Sequence, residues 1–228
     1  MPFLILLLGA TVLALIFGPQ IWVRRTMARH ADERPDFPGT GSELARHLLD
    51  EAGLNDVKVE PAGEEGDHYD PQAKVVRLSD LNYHGRSVTA VAVAAHEVGH
   101  ALQDAQGYKP LQWRQMLVQH ALVAQRIGAV LMLASPLVFG FTRSPALLVM
   151  ELLAAFAIMG MTVAVHAVTL PTELDASFNR AMPVLKKYIR EDDLPAARQV
   201  LKAAAMTYVA AALVSLLDVM RWLRVLRF

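Results

Sequence analysis

Apolar residues along this chain are concentrated in long blocks separated by two polar stretches. The first block, 1–23, has no charged residue and, as a helix, is long enough to cross the roughly 30 Å core of a bilayer. A cleaved signal peptide is the alternative, but the block lacks a basic start and is too long. Two further blocks, 127–142 and 152–172, are joined by a short connection and predict a helical hairpin that crosses a membrane out and back.

The last apolar block, 203–217, is short, and two alternatives stay open for it: it crosses the bilayer, or it packs at the interface or in a core. Arg24, Arg25 and Arg29 follow the first block, and the positive-inside tendency places them in the cytoplasm. We therefore predict a multi-pass protein of the cell membrane with both polar stretches on the cytoplasmic side. The predicted segments are an anchor at 1–23, a catalytic stretch at 24–115, a membrane hairpin at 116–170, a second catalytic stretch at 171–202 and an apolar helix at 203–228.

The polar stretches contain both helical and strand patterns. Leucines at helical spacing predict an amphipathic helix over 42–52. Alternating, β-branched segments at 57–59 and 74–78 predict a β-hairpin with a long loop. Ser87 is a good N-cap for a helix over 88–105, which is apolar nearly all round at its start and should be buried. The predicted fold class is α+β: a mainly helical domain with a small sheet, combined with several transmembrane helices.

Composition excludes some functions. Lysine plus arginine and aspartate plus glutamate each number 22, so no overall field would attract nucleic acid. There is no cysteine, which excludes disulfides, thiol catalysis and thiolate-bound metal. A metal site in this chain must use histidine and carboxylate.

The motif H-E-x-x-H lies on the predicted helix 88–105, as His96, Glu97 and His100. Residues four apart share a helix face, so both imidazoles can reach one metal ion, and Glu97 projects beside them toward the water that such an ion activates. A shuffled chain of this composition would show the motif in about 1% of cases. A charged cluster on a buried helix would also be costly without a partner such as a metal. We predict one zinc ion per chain.

A catalytic zinc usually has three protein ligands, so the sequence should supply a third. Gln103 and Gln106 replace the Gly and His of the extended three-histidine motif, which favours a more distant carboxylate. Glu173 follows Pro171, a favoured helix-start residue, and comes just after the hairpin returns to the cytoplasmic side; a helix-capping glutamate is the alternative. The residues considered after His100 are Asp104, His120, Glu151, His166, Glu173 and Asp175.

The chain resembles the YugP-type membrane zinc metallopeptidases and, more distantly, the HtpX and CAAX prenyl protease group of gluzincins. The resemblance covers nearly the whole chain. The segments that carry it are His68-Tyr69-Asp70-Pro71, Val76-Arg77-Leu78-Ser79, Gly85-Arg86-Ser87, Ala94-Ala95-His96-Glu97-Val98-Gly99-His100-Ala101 and Leu170-Pro171-Thr172-Glu173-Leu174-Asp175-Ala176-Ser177.

This resemblance implies a zincin-like endopeptidase domain with His96, His100 and Glu173 as zinc ligands and Glu97 as general base. One position departs from the HtpX group, which has Asp where this chain has Ser177. The group that orients a ligand histidine is therefore Ser177, another residue, or absent. The candidates for orienting a ligand or stabilising the oxyanion are Ser177, Asp175, Tyr69, His84, Asn179 and Arg180.

The expected partners are protein or peptide substrates associated with the membrane, and the lipid bilayer itself. Membrane partner proteins or self-association stay open, and no nucleic acid is expected. We expect an extended substrate to pair with the sheet edge at 74–78, and a role in processing or quality control of membrane proteins.

Two alternatives come from other classes of protein. A proteolytically silent membrane scaffold would hold zinc as a structural ion or not at all, and it would have no need of Glu97. A metal transporter is disfavoured because the metal motif lies on the helix of the polar domain and the membrane blocks carry few ionisable residues.

Overall fold

Helices dominate the computed structural model, which describes residues 2–64 and 66–225. In chain order the helices are α1 (Pro2–Arg29), α2 (Gly41–Glu51), α3 (Asp80–His84), α4 (Val88–Ala105), α5 (Lys109–Thr142), α6 (Pro145–Leu174), α7 (Met182–Tyr188) and α8 (Leu194–Val225). A π-helical segment (Asp175–Ala181) follows α6, and a short 3-10 helix (Glu191–Asp193) precedes α8. The strands are β1 (Lys58–Pro61), β2 (His68–Asp70) and β3 (Val75–Leu78). The predicted α+β class is confirmed.

Helix α4 lies at the centre of the polar part of the chain. The Ser87 hydroxyl accepts a hydrogen bond from the Ala90 N–H at 3.1 Å, and Gly107, with φ +63°, follows the last turn. The helix packs against α2, α3, α7, β2, β3 and the π-helical segment, so nearly all its side chains are buried. Both ends agree with the prediction because an N-cap serine and a following glycine are local signals.

Helix α2 also agrees with its prediction and forms one wall around α4. Thr40 and Glu43 form a capping box, in which the Thr40 hydroxyl accepts from the Glu43 N–H and the Glu43 carboxylate accepts from the Thr40 N–H at 2.7 Å. Leu48 and Leu49 on its inner face belong to the hydrophobic core.

The sheet differs from the predicted hairpin. Strands β1 and β3 pair in parallel, and β2, which lies between them in sequence, pairs antiparallel with β3, giving the order β1-β3-β2. The tight turn joins β2 to β3 and begins at Asp70, whose carboxylate accepts from the N–H groups of Gln72 and Ala73. Since β3 is the central strand, the expectation that a substrate pairs with an edge at 74–78 is wrong: both sides of β3 are occupied.

The predicted start of a helix at Pro171 is also wrong. Pro171 lies inside α6, which runs on to Leu174 and continues as the π-helical segment. Glu173 is therefore near the end of a long helix and does not cap the start of one. The N–H of Met182 donates to the Ser177 carbonyl, five residues back, which is the wider spacing of a π-helix.

The chain divides into two compact units. One consists of Gly18–Gln112 and Leu170–Thr207, and the other of the described parts of Met1–Phe17, Trp113–Thr169 and Tyr208–Phe228. Within the described residues, no single helix has both the length and the apolar character needed to cross a bilayer. Two parts of α5, Lys109–Gly128 and Leu133–Thr142, meet both criteria when taken together, with a 45° bend between them. The transmembrane segments and their orientation stay predictions.

Candidate active site

The structure brings His96, His100 and Glu173 together inside one unit. The histidines project from α4, and Glu173 comes from the end of α6, more than 70 residues later in the sequence. All three side chains are buried, and Glu173 is only 1% exposed. Among the described residues, these three form the group whose possible ligand atoms lie within 4.8 Å of one another.

The distances in this group match those of a metal site. The Nε2 atoms of His96 and His100 lie 3.1 and 3.4 Å from the same Glu173 oxygen, Oε2. The two rings stand nearly perpendicular, with their centroids 4.8 Å apart. Tetrahedral ligands at about 2.0–2.1 Å from zinc lie about 3.3 Å from each other. Both distances to the Glu173 oxygen are therefore close to the separation of two ligands on one zinc ion.

Ser177 fixes the proton on His96. Its hydroxyl oxygen lies 3.0 Å from His96 Nδ1 and 3.0 Å from the Leu201 carbonyl oxygen. A carbonyl oxygen only accepts, so the single hydroxyl proton goes to Leu201, and Ser177 accepts from the Nδ1–H of His96. The Nε2 lone pair of His96 then faces Glu173. The sequence left open which group orients a histidine of the site, and Ser177 makes this contact with His96.

His100 is held through its own Nδ1, which lies 2.9 Å from the side-chain oxygen of Gln103. With Nδ1 protonated on both rings, two Nε2 lone pairs and a carboxylate oxygen converge. Such electron-rich atoms repel one another unless a cation or a proton lies between them. Two imidazoles and one carboxylate, in a chain without cysteine, are a ligand set that suits zinc.

Glu173 is prepared to act as an anion. Burial alone would raise the pKa of its carboxyl group, but the protonated forms of His100 and His96, which carry a charge and donate from Nε2, outweigh burial and hold that pKa far below its usual range. A carboxylate that stays ionised in a buried position is a strong partner for a metal cation.

Gly99 allows the two parts of the site to approach. A Cβ atom at this position would lie 2.8 Å from the carbonyl oxygen of Ala176, in the π-helical segment between Glu173 and Ser177. The glycine therefore permits close contact between α4 and the backbone that joins Glu173, at the end of α6, to Ser177, in the π-helical segment. A glycine in the middle of a predicted helix is the signal that could have predicted this contact.

Comparison with known proteins agrees with this arrangement. Residues 4–227 match a family model described as "putative neutral zinc metallopeptidase". The chain belongs to this zinc metallopeptidase family. A curated relative in Bacillus subtilis (strain 168), "Putative membrane protease YugP", is 36% identical over 225 residues, which cover 97% of this chain and 96% of the relative. No solved structure matches the chain significantly.

Family membership confirms the resemblance to the YugP-type metallopeptidases. Glu97, the glutamate of the H-E-x-x-H motif, is buried, with 6% of its surface exposed. One residue along a helix is a rotation of about 100°, so Glu97 lies beside the face that carries His96 and His100.

Other candidate residues lie in different places. The Tyr69 hydroxyl donates to Asp104 at 2.7 Å, and burial together with this carboxylate raises the pKa of Tyr69 well above its usual range. His84 is exposed at the end of α3, near Asp80. The contacts of Tyr69 and His84 are thus with residues outside the histidine and glutamate group.

Asp175, Asn179 and Arg180 form a cluster beside the group. Asp175 accepts from Asn179 at 2.9 Å and from Arg180 Nε at 2.7 Å, and it also accepts from Gln103. Burial alone would raise the pKa of Asp175, but these donors outweigh burial and lower it.

Among the described residues, Asp104, His120 and Glu151 were considered as the third ligand and do not belong to this group. Asp104 binds Tyr69 and Lys74, and His120 donates to the Met116 carbonyl on the surface of α5. Glu151 lies on α6 in the other compact unit, and the side chain of His166 lies outside the described part of the structure.

Proposed function

We propose that the protein is a membrane-associated, zinc-dependent endopeptidase in which His96, His100 and Glu173 bind the zinc and Glu97 is the general base. The observation that carries the proposal is the convergence of three buried ligand atoms beside Glu97, with distances of 3.1 and 3.4 Å from the Glu173 oxygen to the two histidines. A structural zinc site would call for a fourth protein ligand in place of a base.

In this mechanism, Glu97 and Ser177 have different roles in peptide hydrolysis. Glu97 takes a proton from the attacking water as the water oxygen bonds to the scissile carbonyl carbon. When the carbon–nitrogen bond breaks, Glu97 gives this proton to the leaving amine. Ser177 keeps the His96 ring oriented, and the buried surroundings exclude bulk water. Bound zinc would supply the Lewis acid that polarises the carbonyl and lowers the pKa of water.

Membrane association is supported by the predicted apolar spans and by the description of the Bacillus subtilis relative as a membrane protease. The charge distribution after the first apolar block supports a site on the cytoplasmic side. We therefore propose membrane-associated protein substrates and a role in processing or quality control of membrane proteins.

The proposal is tested with the full chain purified in detergent, by measuring zinc per chain and cleavage of casein and of solubilised membrane proteins. Glu97→Gln is compared with the wild type and with Glu191→Gln, a matched change at an exposed glutamate. We expect zinc in all three proteins and cleavage reduced by about 10²–10⁴-fold in Glu97→Gln alone. Undiminished cleavage by Glu97→Gln would end the proposal, and zinc without cleavage by the wild type would favour a silent scaffold.

A further inference from the structure

Gln103 lies on α4 three residues after His100, and its side chain is fully buried. Its amide group contacts three partners. The oxygen, Oε1, lies 2.9 Å from His100 Nδ1, and the nitrogen, Nε2, lies 2.9 Å from the Thr172 carbonyl oxygen and 2.8 Å from Asp175 Oδ2. Gln103 therefore links one histidine of the site to the chain on both sides of Glu173.

The partners of Gln103 determine which way its amide points. A carbonyl oxygen only accepts, and the Asp175 carboxylate already accepts from Arg180 and Asn179. The amide NH2 must face these two acceptors, which leaves its oxygen facing His100. His100 then carries its proton on Nδ1 and presents the Nε2 lone pair to Glu173.

Arg180 holds Asp175 in place from the far side. Its Nη1 donates to Gln106 at 2.7 Å, and its guanidinium lies over the Tyr108 ring at 5.5 Å from the centroid. The Asp175 carboxylate is thus held by Gln103 from α4 and by Arg180 from the π-helical segment. It cannot turn away from Gln103 without breaking the contacts of Arg180.

We infer that Gln103 is a positioning residue for His100, and that Asp175, held by Arg180, fixes the amide of Gln103 in the orientation that directs His100 Nε2 at the metal. This inference rests on the proposed zinc site. The two histidines are then oriented by different means, His96 by Ser177 and His100 by Gln103. Removing an outer partner of this kind typically weakens metal affinity by about 10–100-fold.

The experiment measures zinc affinity by competition with a chromophoric chelator, and the visible spectrum of bound Co²⁺, on the full chain in detergent. Gln103→Leu removes the acceptor for His100. Asp175→Ala leaves that acceptor in place and removes the carboxylate that fixes the amide of Gln103. Gln112→Leu, at an exposed glutamine, is the matched control.

We expect Gln103→Leu to lose about 10–100-fold in zinc affinity with a changed Co²⁺ spectrum. Asp175→Ala should also bind zinc more weakly than the wild type, but less weakly than Gln103→Leu, because Thr172 still holds the amide of Gln103. Gln112→Leu should match the wild type. The inference is overturned if Gln103→Leu or Asp175→Ala binds zinc as tightly as the wild type. If Gln103→Leu does not fold, Asp175→Ala decides alone, and an unchanged Co²⁺ spectrum with wild-type zinc affinity in that variant overturns the inference. A wild type that binds no zinc would instead contradict the proposed function.

Discussion

Gly99→Ala tests how the site is assembled. The new methyl carbon would lie 2.8 Å from the Ala176 carbonyl oxygen and 3.3 Å from the Ala176 Cα, whereas ordinary contact begins at 3.4 Å. The neighbour is backbone and cannot rotate away, so α4 and the π-helical segment must separate locally by about 0.6 Å. Ala176 stands between Glu173 and Ser177, and both would move with it.

The expected effect is larger on metal binding than on folding. Alanine in place of glycine gains about 1 kcal/mol in helix propensity, while overpacking costs about 1–3 kcal/mol. The net loss of stability is therefore at most about 2 kcal/mol. Zinc sites tolerate only about 0.2 Å in ligand distance, so a shift of this size should weaken zinc affinity at least about tenfold.

The assay is chelator competition for zinc, together with thermal unfolding of the metal-free protein. Gly63→Ala is the control, because no atom of the described residues lies within 4 Å of a Cβ at that position. A Gly99→Ala protein that binds zinc like the wild type would refute the idea that close contact between these two segments positions the ligands.

Three further predictions concern the same site. Ser177→Ala removes the acceptor of the His96 Nδ1–H and the donor to Leu201. It should destabilise the protein by about 1–3 kcal/mol, measured by thermal unfolding, and weaken zinc affinity by about 10–100-fold, measured by chelator competition. Wild-type values in both assays would contradict the role given to Ser177. Removing the metal with 1,10-phenanthroline should abolish peptidase activity and lower the unfolding temperature, and zinc at about 100 times its Kd should restore about 2.7 kcal/mol of stability; activity that persists without metal would count against zinc catalysis. In the metal-free protein the pKa of Glu173 lies below its ordinary value of 4.5, so the folded state takes up the proton less readily than the unfolded chain, and the stability from this group is present above pH 4.5 and is lost as the pH falls further. Thermal unfolding from about pH 6 to about pH 3 should therefore show a steeper loss for the wild type than for Glu173→Gln, and parallel curves would show that the lowered pKa is wrong.

The features that could be predicted from sequence are those set by local pattern. Ser87, the apolar run that follows it and Gly107 determine the bounds of α4, and the spacing of His96 and His100 places both on one face. The sheet could not be predicted in the same way, because strand pairing joins distant segments. Strand β2 has only three residues, of mixed polarity, so no alternating pattern marks it.

The partners of the candidate ligands were harder to predict for the same reason. Ser177 was a candidate because a known motif has a carboxylate there. Gln103 was missed as a partner, since its other contacts, Thr172 and Asp175, are about 70 residues away in sequence. The available signal was its spacing, because a residue three after His100 lies one helical turn along the same face.

The measurement that tests the central claim most directly is zinc analysis of the full chain in detergent combined with X-ray absorption at the zinc edge. The account predicts about one zinc per chain, with two imidazole nitrogens and a carboxylate oxygen at about 2.0–2.1 Å and a further oxygen from water. It also predicts that Glu173→Gln loses tightly bound zinc. A chain that binds no zinc, or binds it without imidazole ligands, would contradict the assignment of His96, His100 and Glu173 as the metal site.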